Sequence, residues 1–404
     1  MTLLQSLRSM PRTSWVLAIA TFINRAGTMV LPFLALYLTK TLNFPIGRAG
    51  FVLTLYGLGA LLTAPVAGRL CDRYGPVLIM KLSLFASAVV MFLFPVAHSY
   101  GAVIAATLLL SVTVEMFRPA SMATVSRVVE GKMVKQAFAV QRAAINLGMS
   151  IGPAMAGFLA TFSFLWLFLI DGITSVLAGF VLVFTMANLK AVPKEPDLKA
   201  KGGAPVFRDP ALLIFMAAVI PVGIIFFQHM SAMPLFMVEN LHFSPAVYGL
   251  MFTINTGLIV FLEVPLNHVT SHWTHRRNLV LGTVLCAIGF GSLAFVTDII
   301  GVVATVLVWT FGEMILFPSM SAYVAHIAPE HSQGKYMGFY MMAFSVAFMI
   351  GPWAGTQVLE HLGPVILWNS MFVLGAASAT IFWILTANAG PIETTETIEP
   401  IEPV

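Results

Sequence analysis

LNFPIGRAGFVLTLYG, residues 42–57, and LHFSPAVYGLMFTINT, residues 241–256, read as one segment written twice. Each opens on Leu-X-Phe, passes through a short turn and runs into an apolar stretch. Two further pairs keep nearly the same offset of about 199 residues. VEMFRPASMATV from Val114 matches GEMILFPSMSAYV from Gly312 with one residue of slippage, and IGPAMAG from Ile151 matches IGPWAG from Ile350. One such match is within chance, but three in register argue for a duplicated chain, and parallel internal repeats are a recurring plan among membrane transporters.

Working outward, the repeated segments sit inside long apolar runs. Of the 404 residues 59% are hydrophobic and only 9% charged, with mean hydropathy +0.92. Soluble domains carry roughly 25% charged residues, so a soluble globular class is excluded. Runs of about 20 apolar residues span a bilayer as helices. Twelve are expected, over 13–40, 46–68, 77–96, 101–125, 137–160, 165–188, 211–238, 245–267, 278–297, 300–326, 336–360 and 365–387. Backbone polar groups in lipid must be satisfied within a segment, so the class is an all-α membrane protein of two pseudo-symmetric six-helix bundles. The boundaries expected are 1–188 for the first bundle, 189–210 for a cytoplasmic linker, 211–387 for the second bundle and 388–404 for a disordered acidic tail.

Lys and Arg distribute unevenly between the two ends of these spans. With both termini inside, one side collects Arg8, Arg12, Arg69, Arg73, Arg127, Lys132, Lys135, Arg276, Arg277 and Lys335, and the linker adds more; the other holds Lys40 and Arg48. The positive-inside rule then places both termini in the cytoplasm of a bacterial-type inner membrane. The net charge of +4 follows from this bias and points to lipid, not to nucleic acid. Cys71, expected in a cytoplasmic loop, and Cys286, inside a span, supply neither a disulfide framework nor metal spacing. No catalytic constellation appears, and no GxxxxGK[ST] loop for nucleotide, so neither an enzyme nor a cofactor is expected.

After the second span comes GRLCDRYG, whose Gly68, Leu70, Asp72, Arg73 and Gly75 resemble the loop motif of the major facilitator superfamily. The second half lacks it, with His272 where Asp72 would repeat. In the fifth span Gly148, Gly152, Pro153 and Gly157 resemble the glycine–proline motif of that superfamily's proton-driven drug antiporters, though plain helix packing asks for the same small residues. FRPAS at Phe117, RAAINLG at Arg142 and the segment from Gly312 resemble proton-coupled oligopeptide transporters more distantly. Their acidic motif in the first span is absent, leaving Thr21, Asn24 and Arg25. These resemblances imply a proton-coupled secondary transporter working by alternating access, for small-molecule substrates. Export of amphipathic molecules ranks first, and symport of peptides or other zwitterions second. A monomer is expected.

Charges inside spans point to the site, because a mid-bilayer charge costs about 2.5–3.5 kcal/mol on insertion scales and must face protein or a watery cavity. Arg25 lies about 18 Å into the first span at 1.5 Å per residue. Glu115 and Arg118 are spaced i, i+3, on one helix face. Glu313 repeats Glu115, with no basic neighbour in its own half. Arg25, Glu115, Arg118, Arg142 and Glu313 are the substrate-binding candidates, with Glu313 and Glu115 as proton carriers. Gly68, Asp72, Arg73 and Gly75 are expected to gate, Asp72 by holding a neighbouring helix end. A closed clamp of Arg25 and Arg118 on Glu115 is the competing arrangement. Glu263 is expected to meet the basic loop after the eighth span, His229 to pack, and Asp171 to act structurally or as a gate.

Overall fold

Long apolar runs in lipid satisfy their backbone groups as helix, and that is what the chain forms. The computed structural model describes residues 10–128, 133–186, 208–329 and 332–387. The tail 388–404 and the linker up to residue 207 lie outside them. Among the described residues twelve helices are long and apolar enough to cross a membrane. They are α1 Arg12–Lys40, α2 Ile46–Tyr74, α3 Pro76–Val96, α4 Tyr100–Val125, α5 Gln136–Ala160, α6 Leu165–Thr185, α7 Pro210–Asn240, α8 Pro245–Thr270, α9 His275–Phe295, α10 Ile299–Ile327, α11 Gln333–Leu362 and α12 Pro364–Leu385. Short hairpins join most of them, so helix direction alternates. Arg12 and Leu385 therefore mark one face, here the terminal face, and Lys40 and Ile46 the far face.

The duplication is visible in the backbone. Asn43 and His242, at matching positions of the opening segments, both take left-handed conformations, with φ of 55° and 58°. In each turn the following amide closes back on the preceding helix: Phe44 N to Leu38 O and Phe243 N to Met237 O, both 2.9 Å. The left-handed residue lets orphan carbonyls at a helix end be satisfied before the chain reverses.

GRLCDRYG is not a loop. α2 runs on to Tyr74, so Gly68, Leu70, Asp72 and Arg73 occupy its last turns and Cys71 is buried. No residue in that stretch breaks a helix before Gly75, which ends it with φ 88° and hands over to Pro76, preset for the first turn of α3.

α1 and α7 are each interrupted near the middle, at Gly27–Met29 and at Gln228–Ser231. An interrupted helix exposes unpaired backbone donors, which must find partners in lipid. In α1 the carboxylate of Asp171, from α6, accepts from Met29 N and Val30 N at 3.3 Å each. In α7 Gln228 ties the break to α11 by donating to Gly351 O at 2.9 Å.

The first six and last six helices meet along three pairs, α2–α11, α5–α8 and α1–α7. Toward the far face these pairs touch backbone to backbone. A methyl group on Gly157 of α5 would lie 2.8 Å from Gly249 Cα of α8, and one on Gly50 of α2 would lie 2.9 Å from Pro352 O of α11. Gly57 packs against Phe348 and Met349 of α11 in the same way. Toward the terminal face the helices part: Gly68 of α2 and Gly334 and Gly338 of α11 have open space where a side chain would stand. The molecule is sealed at the far face and open between its halves at the terminal face.

Candidate functional site

The cleft between the halves leads to two acids at repeat-equivalent positions. On α4 Glu115 accepts a hydrogen bond from Tyr56 Oη of α2 at 3.0 Å, and Ser111 Oγ holds the Tyr56 carbonyl at 2.6 Å. On α10 Glu313 accepts from Asn255 Nδ2 of α8 at 2.9 Å, and Thr310 Oγ1 accepts from the same amide at 3.0 Å. Tyr56 and Asn255 are the fifteenth residues of the two segments that open the repeat. Each half thus holds its acid by a neutral donor from the corresponding helix. Both acids are half-buried.

Glu115 and Arg118, expected to share a face of one continuous helix, do not pair. Helix α4 is interrupted at Met116, one turn before Pro119. A helical proline lacks the N–H and its ring crowds the carbonyl of residue i−4, here Glu115. Glu115 turns to α2, while Arg118 is exposed. One turn on, Ser121 accepts from Gln141 of α5.

Arg25 sits in the last turn of the first half of α1, where a cation complements the helix dipole. Its Cβ and the following backbone pack under Gly148 and Gly152 of α5, so those two glycines admit the close approach of α5 to the broken helix. Pro153 and Gly157 serve the α5–α8 contact instead. Nε of Arg25 is buried with no acceptor, and its charge lies close enough to act on Tyr56 and Asp171. Among the described residues neither Arg25 nor Arg118 forms an ion pair, so the clamp on Glu115 is absent.

One other expectation is revised. Glu263 does not meet the basic loop after α8; its carboxylate is paired with Arg142 of α5 across the two halves, on the open side. Near its terminal-face end α8 faces α5, which brings the carboxylate to Arg142 before any loop residue. Asp171 is the cap of the broken α1. His229 packs, its ring 4.5 Å from Phe226 and 5.4 Å from Phe252. Asp72 is engaged with its surroundings at the end of α2.

Sequence reasoning missed Tyr56, Asn255 and Gln141. The last donates to Thr21 Oγ1 of α1 at 2.6 Å and to Ser121 Oγ of α4 at 2.8 Å, pinning three helices from a nearly buried position. The repeat alignment carried the signal for the first two, because Tyr56 and Asn255 face each other in it. Gln141 is an ordinary polar residue near a helix end and carried none.

Comparison with known proteins fits this architecture. The profile of the Major Facilitator Superfamily matches residues 17–237 and 222–402. The chain belongs to the Major Facilitator Superfamily. It is 27% identical to the MFS-type transporter YqjV of Bacillus subtilis over 87% of each chain. It is 23% identical to Multidrug resistance protein 1 of the same organism, over 77% of this chain and 80% of the relative. Among solved structures, a POT family transporter in complex with 5-aminolevulinic acid superposes with a TM-score of 0.79 at 14% identity, covering 95% of this chain and 97% of the other. At that identity the superposition speaks for the fold alone. This member of the superfamily is a multi-pass membrane transporter and not an enzyme.

Proposed function

We propose that the protein is a proton-coupled secondary transporter that exports small amphipathic molecules by alternating access. The observation that carries this reading is the pair of equivalent acids, Glu115 and Glu313, each held by a neutral donor and neither in an ion pair among the described residues. A carboxylate fixed by a cation stays ionised, because the opposite charge favours the charged form. One held by a hydroxyl or an amide is free to exchange its proton as its exposure changes. Export draws support from the similarity to Multidrug resistance protein 1 and from the glycines of α5 against α1 and α8. The Lys and Arg bias supports a cytoplasmic position for the open terminal face and both termini, and the protein would act as a monomer in the inner membrane. The energy source is the proton gradient, with no cofactor. Gly68, Asp72, Arg73 and Gly75, on the open face, would lock that face when it closes.

A second reading, symport of zwitterions, is favoured by Arg25 and Arg118 in one half against Glu313 in the other. Proteoliposomes under an imposed pH gradient, loaded in parallel with a dipeptide and with a lipophilic cation, separate the two. Movement of the cation against proton entry supports export, and co-movement of the dipeptide supports symport. Glu313→Gln should abolish pH-driven accumulation while leaving exchange down a substrate gradient. Full proton-driven transport by that variant would remove Glu313 from coupling.

A further inference from the structure

The two halves match at their acids and differ one turn later. In the repeat, the residue before the helix proline is Arg118 in α4 and Phe317 in α10. Arg118 is exposed and without an ion pair among the described residues, and Arg25 of α1 buries an Nε with no acceptor. Phe317 lies at the centre of a half-exposed aromatic platform built from three helices. Its ring is 4.8 Å from Phe226 of α7 and 5.6 Å from Phe344 of α11, each edge-on. The platform reaches back to the first half: Phe226 meets Phe227 at 5.7 Å, Phe227 meets Phe348 at 4.7 Å, and Phe348 meets Tyr56, the residue that holds Glu115, at 6.0 Å. The first half thus carries guanidinium groups where the second carries a continuous ring surface.

Resting on the transport reading above, we propose that the preferred substrates are organic anions with a planar aromatic ring. The carboxylate or equivalent head group lies on Arg118 and Arg25, and the ring lies against Phe317, Phe226 and Phe344. An unpaired guanidinium inside a membrane protein is stabilised by an incoming anion, which forms charge-assisted hydrogen bonds there. Faces and edges of phenyl rings offer a further aromatic ring the offset and edge-on contacts it prefers. An aliphatic tail gains burial from the same surface without those contacts.

Binding to the purified full chain in detergent, followed by calorimetry, tests this with three probes: 2-naphthoate, decanoate and 2-naphthylmethylammonium. Naphthoate should bind best and the ammonium worst. Arg118→Ala should weaken both anions roughly tenfold or more, as expected for loss of a charge-assisted bond. Phe317→Leu, which keeps bulk and helix propensity, should weaken naphthoate about threefold to tenfold and leave decanoate nearly unchanged. Preference for the ammonium, or equal loss of both anions in Phe317→Leu, would overturn the proposal. The transport reading fails separately: naphthoate bound with this dependence but not driven by a pH gradient contradicts coupling and leaves the site assignment intact. A pH-driven cation with no anion binding does the reverse.

Discussion

The far-face and terminal-face ends of the same helix pairs are built differently. Along α2 and α11 the far-face half meets at Gly50 and Gly57, where Thr356, Pro352 and Phe348 of α11 leave no room for a side chain. The terminal-face half of the same pair carries Gly68, Gly334 and Gly338 with nothing opposite. Glycine in the far half acts as absence of bulk that brings backbones together. In the terminal half the same residue leaves the helix surface smooth and the contact unmade in this state. A transporter that alternates needs one seal to be firm while the other is open. Polar contacts join the far seal: Gly47 N donates to Glu360 Oε2 at 2.6 Å, and Tyr248 Oη lies 3.1 Å from Pro32 O and 2.8 Å from His229 O.

The sharpest way to break this comparison is to fill the far seal. Gly157→Leu places bulk where a single methyl already lies 2.8 Å from Gly249 Cα. Overpacking of this kind costs about 1–3 kcal/mol, and here the cost falls on the sealed state alone. Spin labels at His98 and Thr297, exposed on far-face loops of the two halves, should report a shift toward longer distances. An unchanged distance distribution in a folded variant would show that the far contact does not set the equilibrium. Gly338→Leu is the matched control: with open space at that position it should leave the far-face distances alone.

A smaller effect is expected at Glu360, an exposed carboxylate that accepts from the first turn of α2. Anions at a helix N-terminus contribute about 0.3–1 kcal/mol when exposed, so Glu360→Gln should move the same distance distribution only partly. The effect should shrink at high salt, and a shift as large as that of Gly157→Leu would mean the seal is mainly electrostatic. Smallest of all is Lys40, which meets Glu239 at 3.6 Å with 43% and 27% of the two side chains exposed. Exposed pairs are worth about 0–1 kcal/mol, so Lys40→Met should change transport rates by less than about fivefold. A larger loss would place Lys40 in the seal.

Much of this was legible beforehand because membrane insertion writes itself into composition and charge. Twelve spans and the repeat follow from apolar length and alignment. The end of α2 was misread because GRLCDRYG is polar, yet polar residues beyond the bilayer edge continue a helix as readily as apolar ones. Glu115 and Arg118 were placed together by spacing, and Pro119 separated them, since helical spacing holds only while the helix is unbroken.

By itself the sequence determined the class, the number of spans, the duplication and which ionisable residues are costly enough in lipid to need a purpose. These properties depend on sums along the chain or on transfer free energies of single residues. Only the tertiary structure decided partners: that Asp171 caps the break in α1, that Asn255 and Tyr56 hold the two acids, that Glu263 reaches Arg142 across the cleft. It also decided that the far face is closed and the terminal face open. Partner choice depends on which helix surfaces meet, and the same twelve helices can meet in more than one way.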